Sequence, residues 1–296
     1  MATVDRGRYG VIVGDRVVTA MTARELGRHS VVVGDRVALA GDISGVPGAL
    51  ARVVRVTPRT SVLRRSADDT DPVERIIVAN ANQLVIVTAL ADPPPRPRLI
   101  DRFLVAAYDA GLTPLLCLTK SDLASAESLL AAYGPLGTAH VVLGRPLTDA
   151  MLDPLREVLT DRVSVMVGHS GVGKSTLVNA LVPGADRAVG TVSPVTGRGR
   201  HTSSSAIALR LPGGGWLIDT PGLRGFGLAH VAPARVVAAF PDLAPGTAAC
   251  PRGCAHLDPD CALDDWVRDQ GGDPRLLTRL DSLRRLLRSR EGDDPT

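Results

Sequence analysis

The hydrophobic residues near the start of the chain fall in short β-branched runs that Gly-Asp pairs and other turn residues separate. The runs are Val11–Val18, Val31–Ala38, Ala51–Val56 and Ser61–Leu63. Such runs, with tight turns between them, are typical of β-strands. About five short strands match the strand number of a small Greek-key barrel of the OB type. We therefore predict an N-terminal OB-type β-barrel over residues 1–67, with a polar linker at Asp68–Pro72.

From residue 73 the pattern changes to apolar strands that alternate with helical stretches. The predicted strands are Gln83–Leu90, Pro114–Leu118, Ser164–Val167 and Trp216–Ile218, and Ile100–Gly111 is a predicted helix. This alternation is typical of a parallel sheet with crossover helices. It predicts a central α/β domain over residues 73–230.

The remaining residues, 231–296, predict a small α-helical module. Its last helix has a clear start signal at Asp273 and Pro274. Apolar residues then recur at helical spacing, at Leu276, Leu280, Leu283 and Leu287. We expect this apolar stripe to pack against the rest of the protein and the helix arginines to point outward.

Composition limits the class of protein. The chain has 296 residues, of which 45% are hydrophobic and 22% charged, and no apolar run reaches the roughly 20 residues of a membrane span. Residues 1–30 have no continuous apolar core of a signal peptide, so a cytoplasmic protein without membrane contact is expected. Its net charge is only +3, and arginines cluster at residues 52–65 and 275–290. Each cluster is either a solvated face or a surface for nucleic acid, and with 3% aromatic residues such binding would depend on phosphate contacts.

A glycine-rich segment carries the strongest chemical signal. It reads Gly168-His169-Ser170-Gly171-Val172-Gly173-Lys174-Ser175 and satisfies G-x-x-x-x-G-K-[ST]. A predicted strand precedes it and a predicted helix, Thr176–Leu181, follows. Backbone amides and the helix N-terminus would bind phosphates, with Lys174 at the β/γ-phosphates and Ser175 on Mg²⁺. The segment therefore predicts a nucleotide-binding P-loop over Gly168–Thr176.

Two further segments complete a nucleotide site. Asp219-Thr220-Pro221-Gly222 follows a predicted strand, where a Walker-B aspartate would bind the Mg²⁺ through water. Thr119-Lys120-Ser121-Asp122 matches [NT]-K-x-D, whose aspartate can accept hydrogen bonds from guanine N1–H and the 2-amino group. This motif favours GTP over ATP, although on its own it also fits a helix cap.

A Cys/His cluster lies in the C-terminal part. Its members are Cys250, Cys254, His256 and Cys261. Three thiolates and one imidazole form the ligand set of a closed structural Zn²⁺ site, with no open position for catalysis. We predict one structural zinc ion there, and inert core packing for the fourth cysteine, Cys117.

The order of the motifs is unusual, because Thr119–Asp122 precedes Gly168–Ser175, whereas an ordinary GTPase has its P-loop first. The α/β domain is therefore predicted to be circularly permuted. With these motifs the chain resembles the ribosome small subunit-dependent GTPase A family, also called the YjeQ/YloQ family, over essentially its whole length. Further segments that carry the resemblance are Ile76–Ala91 with Asn80, Asp101–Ala107, Gly197–Thr202 and Asp219–Phe226.

The resemblance implies a switch I at Arg198–Ser203 and a switch II that begins with Asp219–Gly222. Thr202 or Ser203 would contact Mg²⁺ and the γ-phosphate, and His201 would orient the attacking water. Together with Lys174, His201 and Thr202 are the expected catalytic residues. Leu223 stands where Ras-like enzymes carry the water-positioning glutamine, so slow hydrolysis and stimulation by a partner are expected.

The resemblance also implies a function. It is that of a monomeric GTP hydrolase that binds the small ribosomal subunit and its rRNA, acts in late maturation of that subunit, and cycles between GTP and GDP. Because switch II runs directly into the C-terminal module, nucleotide state would move that module. A GTP-dependent RNA-binding scaffold with incidental hydrolysis is the alternative.

One segment departs from the family pattern. A Ser-Ala pair that supports the base is expected after the predicted strand Thr138–Leu143, but the sequence there is Val142-Leu143-Gly144-Arg145-Pro146. Either guanine selectivity is weaker, or backbone groups replace the missing pair.

Overall fold

The computed structural model describes residues 1–5, 7–26, 31–66, 69, 73–185, 206–221, 226–257 and 260–291. The strands are β1 (Thr3–Asp5), β2 (Arg8–Val13), β3 (Arg16–Thr22), β4 (Val37–Gly41), β5 (Ala51–Val56), β6 (Val62–Arg65), β7 (Arg75–Ala79), β8 (Gln83–Ala89), β9 (Thr113–Thr119), β10 (Ala139–Leu143), β11 (Val163–Gly168), β12 (Ile207–Arg210) and β13 (Trp216–Asp219). The helices are α1 (Pro97–Asp109), α2 (Glu127–Tyr133), α3 (Asp149–Leu159), α4 (Lys174–Leu181), α5 (Pro233–Ala238), α6 (Ala244–Thr247), α7 (Ala262–Asp269) and α8 (Pro274–Glu291). None of the helices within these ranges is long and apolar enough to cross a membrane.

The α/β part is a sheet with the strand order β10-β9-β8-β11-β13, in which every neighbouring pair is parallel. Its central strand β8 has alternating side chains that enter two separate cores. Leu84 and Ile86 pack in the core that contains α1, whereas Val85 and Val87 pack in the core that contains α3 and α4. Apolar residues on both faces explain why this strand is a continuous hydrophobic run. The predicted α/β architecture is confirmed.

The N-terminal strands form a β-rich domain, as predicted. Their order is β1-β2-β3-β5-β4, and β3 and β5 are parallel. Tyr9, Val18 and Val53 are fully buried in a core of their own. Within the described residues, no pairing between β4 and β1 closes these strands into a ring.

The predicted strand at Ser61–Leu63 does not belong to this domain. It forms β6, which among the strands of the described residues pairs with β7 in a separate two-stranded sheet. Leu63 and Val78 bring this hairpin into the large core of the α/β part, because both side chains are fully buried there. The hairpin spans the predicted linker, so the boundaries 1–67, 73–230 and 231–296 stay predictions.

The two Gly-Asp pairs of the N-terminal region have different structural roles. Asp15 lies in the exposed turn of the β2–β3 hairpin, as its sequence predicts. Asp35 is buried, accepts a hydrogen bond from the amide of Val32 at 2.8 Å, and pairs with Arg59 at 2.7 Å. The run Val31–Ala38 is therefore a buried turn that leads into β4 at Val37, not two strands.

Several contacts between described residues join the β-rich domain to the α/β part, and two of them show how close the connection is. The first is sheet continuity, because β1 pairs with β12, and the amide of Ala208 donates to the carbonyl of Ala2 at 2.9 Å. The second is the side chain of Asn80, which donates to the carbonyl of Gly34 at 3.0 Å and accepts from the amide of Thr60 at 2.8 Å. The two parts therefore share backbone pairing as well as side-chain contacts.

The C-terminal module consists of α5 to α8, as predicted, but one expectation about α8 is wrong. Arg279 does not point outward. It is 4% exposed and donates to Asp101 of α1 at 2.6 Å and to Asp242 at 3.0 Å. Its guanidinium carbon lies 4.2 Å from the ring centroid of Phe240. The partner of Arg279 is a buried carboxylate on α1. The spacing of apolar residues along α8 could not predict this partner.

Replacing Arg279 with methionine is expected to destabilise the protein by about 3–5 kcal/mol, because it leaves a buried charge without a counter-ion. Burial already raises the pKa of Asp101, against the opposing effect of Arg279. Urea unfolding measures the effect as a lower midpoint. The matched control is Arg268→Met, which removes an exposed pair with Asp265 and costs at most about 1 kcal/mol. Equal midpoints for the two variants would contradict the assigned role of Arg279.

Candidate functional site

The candidate motifs lie together because each follows a strand of the same parallel sheet. Thr119–Asp122 follows β9, the glycine-rich segment follows β11, and Asp219 ends β13. In an open α/β sheet, ligands bind at the carboxyl ends of the strands. The site depends on the order of strands in the sheet, so motifs that are permuted along the chain still converge.

The turn from β11 into α4 has the shape of a phosphate-binding loop. A Cβ on Gly168 would lie 2.5 Å from the carbonyl oxygen of Val87 on the neighbouring strand, so only glycine fits there. Gly173 has φ +94° and is the N-cap of α4, which begins at Lys174. The amides of the first helical turn, with Ser175 and Thr176, are thereby presented at the end of the sheet.

Lys174 joins the glycine-rich loop to the end of β13. The residue is 9% exposed, and its ammonium group donates to Asp219 at 2.8 Å and to the carbonyl of Thr220. The hydroxyl of Thr220 in turn donates to the carbonyl of Met166 on β11 at 2.8 Å. A phosphate that binds this loop must therefore compete with Asp219 for the lysine.

The base-reading motif contacts the glycine-rich loop directly. The hydroxyl of Thr119 donates to the carbonyl of Val172 at 2.6 Å, within the loop. Lys120 has φ +61°, and its ammonium group donates to the carbonyl of Asp92 in the loop after β8. Burial, followed by the charge of Arg145, lowers the pKa of Lys120. The segment Thr119–Asp122 and the glycine-rich loop are thus in direct contact.

The remaining members of the motif, Ser121 and Asp122, are exposed at the edge of this surface. They do not cap a helix, because α2 begins only at Glu127 with Ala126 as its N-cap. The helix-cap alternative for this motif is therefore wrong, and the exposed carboxylate of Asp122 is free of a structural role in α2.

Some of the predicted site residues lie outside the described ranges. They are His201, Thr202 and Ser203 of the expected switch I, and Gly222 and Leu223 of switch II. Of the expected Mg²⁺ ligands, Ser175 and Asp219 are described. A hydroxyl and a carboxylate are the oxygen donors that Mg²⁺ prefers, so the donor set fits the ion.

Sequence reasoning missed two contributors to the site. Asp92 supplies a carbonyl to Lys120, and the amide of Arg145 donates to a carboxylate oxygen of Asp122 at 2.9 Å. Both act through the backbone, so the identities of their side chains carried no signal. The only local clue was that each lies just after a predicted strand.

The Cys/His cluster is assembled as predicted. The ligand atoms of Cys250, Cys254, His256 and Cys261 all lie within 4.8 Å of one another. Cys250 Sγ is 3.9 Å from Cys261 Sγ and 3.6 Å from His256 Nδ1. Tetrahedral zinc with Zn–S bonds of about 2.3 Å requires ligand atoms about 3.8 Å apart, which these distances match. The four residues therefore fit a structural zinc ion, which would cross-link the loop between α6 and α7.

Arg284 attaches this cluster to α8. Its guanidinium donates to the carbonyl of His256 at 3.0 Å and to both carboxylate oxygens of Asp264 at 2.8 and 2.6 Å. The hydrogen bonds from Arg284 to Asp264 lower the pKa of that carboxyl group. The cluster is thereby fixed to the same helix that carries Arg279.

Replacing Cys254 with serine, or removing metal with a chelator, is expected to release one zinc ion per chain. Loss of the cross-link should lower the thermal midpoint of the module by roughly 10 °C or more. Metal analysis and calorimetry measure the two effects. Cys117→Ala is the control and should retain the zinc, because burial on β9 raises the pKa of its thiol to about 12. A zinc-free protein with an unchanged midpoint would contradict a structural role.

Comparison with known proteins agrees with this geometry. A family model described as RsgA GTPase matches residues 56–229. Several relatives that are about 40% identical to this chain carry the name Small ribosomal subunit biogenesis GTPase RsgA. The protein of Chromohalobacter salexigens is 41% identical over 256 residues, which cover 84% of this chain and 72% of the relative. That of Pseudomonas aeruginosa is 42% identical over 245 residues, which cover 80% and 70%.

Solved structures show the same fold. YloQ, described as a circularly permuted GTPase, superimposes with a TM-score of 0.68 at 22% identity, over 100% of this chain and 95% of that one. YjeQ from Thermotoga maritima gives a TM-score of 0.65 at 23% identity, over 90% of both chains. The resemblance, the permuted GTPase domain and the Cys/His module are confirmed, and the chain belongs to the RsgA GTPase family.

Proposed function

We propose that this chain hydrolyses GTP while bound to the small ribosomal subunit and acts in the maturation of that subunit. The observation that carries the proposal is the hydrogen bond between Thr119 and Val172, because it joins a guanine-reading motif to a phosphate-binding loop. The relatives named Small ribosomal subunit biogenesis GTPase RsgA support the ribosomal partner. That partner implies action in the cytoplasm.

Each part of the nucleotide is assigned to residues of the site. The loop Gly168–Thr176 holds the phosphates, with Lys174 at the β/γ-phosphates after it leaves Asp219. Ser175 and Asp219 would hold Mg²⁺, which would neutralise charge that develops on the phosphates. Thr119 attaches the base-reading motif to the loop. Lys120 stabilises the motif by its hydrogen bond to the carbonyl of Asp92, and Asp122 accepts hydrogen bonds from the guanine edge.

Hydrolysis depends on the two switch segments. By the family resemblance, His201 would orient the attacking water and Thr202 would contact Mg²⁺. Leu223 cannot hydrogen-bond water, so the chain on its own lacks the glutamine that Ras-like enzymes use. A bound ribosomal subunit would complete the arrangement that positions the attacking water.

The segment that follows each switch contacts either the β-rich domain or the residues that connect this domain to the α/β part. After switch I the chain enters β12, which pairs with β1. After switch II, Gly227 exchanges backbone hydrogen bonds with Ser66 at 3.1 and 3.3 Å, and the amide of Leu228 donates to Asp69 at 2.8 Å. Nucleotide state can therefore be transmitted to the N-terminal domain as well as to the C-terminal module.

Exposed arginines indicate where rRNA phosphates would bind. Arg52 and Arg55 of β5 are exposed, whereas Arg59 pairs with Asp35. On α8, Arg275 and Arg288 are exposed. We place the rRNA contacts on these four arginines, with binding that weakens as salt concentration rises.

GTP turnover should rise at least tenfold when small ribosomal subunits are added, because a bound partner orders the switch segments. Known activators of such enzymes reach about 10⁵-fold. Phosphate release is measured at fixed salt, with large subunits as the control. Retained GTP-dependent binding without stimulation would favour the scaffold function over the hydrolase.

Replacing Asp69 with asparagine is expected to weaken the link between nucleotide state and ribosome affinity. The variant loses the charged acceptor of the Leu228 amide and the ion pair with Arg102, but leaves the nucleotide site intact. The ratio of small-subunit affinities with GTP and GDP should fall by about fivefold, while GTP affinity of the free protein stays unchanged. Asp15→Asn, in an exposed pair with Arg210, is the matched control. An unchanged ratio in Asp69→Asn would exclude this route.

A further inference from the structure

The loop after β10 packs against the exposed end of the base-reading motif. The amide of Ser121 donates to the carbonyl of Leu143 at 3.1 Å, and the amide of Arg145 donates to Asp122 Oδ1 at 2.9 Å. The amide of Gly144 points to the sulfur of Met151 on α3 at 3.4 Å. Three successive backbone groups of this loop therefore have defined partners.

Gly144 allows this close approach. A Cβ at this position would lie 2.9 Å from Ser121 Oγ, 3.5 Å from the amide nitrogen of Asp122 and 3.7 Å from its Oδ1. A larger side chain would extend into the space next to the carboxylate. Gly144 is buried and Arg145 is exposed, and the hydrogen bond to Asp122 comes from the backbone amide of Arg145.

We infer that the backbone amide of Arg145, presented by Gly144, positions the Asp122 carboxylate for the N1–H and the 2-amino group of guanine. This inference rests on the proposed role of Asp122 as the guanine reader. An exposed carboxylate turns easily about its last torsion, because that torsion has a broad energy profile. A hydrogen bond from the amide of Arg145 to Oδ1 restricts this rotation, and each oxygen keeps a lone pair for the base.

With this amide as donor, backbone groups replace the missing Ser-Ala pair, and guanine selectivity need not be weaker. A backbone donor needs no particular side chain, so guanine selectivity does not require serine at position 144. Arg145 is a positioning residue in this scheme, since it acts through Asp122. Its exposed guanidinium is not required for base selectivity.

Binding of three nucleotides tests the role of the amide. GDP and IDP differ only in the 2-amino group, and ADP has neither that group nor the N1–H donor. Arg145→Pro removes the amide, whereas the matched variant Arg145→Ala keeps it. We expect Arg145→Pro to reduce the ratio of GDP to IDP affinity about fivefold with ADP affinity unchanged, and Arg145→Ala to keep the ratio of the unmodified protein.

Other outcomes overturn the inference. Equal ratios for the proline and alanine variants exclude a role for the amide. An equal loss of GDP and IDP affinity in Arg145→Pro indicates direct contact between the amide and the 6-oxo group, in place of positioning. Asp122→Ala distinguishes failure of the guanine-reading proposal from failure of the positioning inference. If this variant leaves the ratio of GDP to IDP affinity unchanged, the guanine-reading proposal itself fails. If it lowers the ratio while Arg145→Pro does not, only the positioning inference fails.

Hydrogen exchange gives a second test that needs no proline in the loop. In Asp122→Ala the amide of Arg145 loses its acceptor and should exchange several-fold faster than in the unmodified protein. The amide of Ser121, bonded to the carbonyl of Leu143, serves as the internal control and should keep its rate. Unchanged exchange at Arg145 would show that the carboxylate does not hold this amide in solution.

Discussion

Parallel pairing of β11 between β8 and β13 is the constraint on which the site depends. It places the glycine-rich loop, Asp219 and the end of β8 at one edge of the sheet. The next strand, β9, places Thr119 close enough to donate a hydrogen bond to the carbonyl of Val172. Backbone hydrogen bonds fix these neighbours without regard to which strand the chain visits first. Circular permutation therefore changes how the segments are connected but leaves their chemistry unchanged, and it moves the chain ends to the places where two further domains attach.

Segments with strong local signals could be predicted from the sequence. The glycine-rich loop, the strand before it and the helix after it are specified by nearby residues, and so is the start of α8 at Asp273 and Pro274. The metal cluster could also be predicted from the sequence, because its ligands fall within a short stretch of chain. Of the candidate site, the sequence also predicted segments that the structure brings into contact, because Lys174 bonds to Asp219 and Thr119 to Val172.

Features that depend on distant partners could not be predicted. Asp15 and Asp35 occur in the same local sequence, yet only Asp35 is buried, where both the amide of Val32 and the side chain of Arg59 donate to its carboxylate. The strand at Ser61–Leu63 pairs with β7 since Leu63 fits the core beneath α1. Contacts made by backbone groups, such as those of Asp92 and Arg145, leave no trace in side-chain patterns.

The buried ion pair between Asp101 and Arg279 makes the three-part architecture less modular than its motifs suggest. The anion belongs to the α/β part and the cation to the last helix, and the chain between them contains both switches and the metal cluster. Neither part retains a satisfied interior when separated from the other. Gain, loss or exchange of the C-terminal module during evolution would therefore require a compensating change in α1, so the two elements are expected to be inherited together.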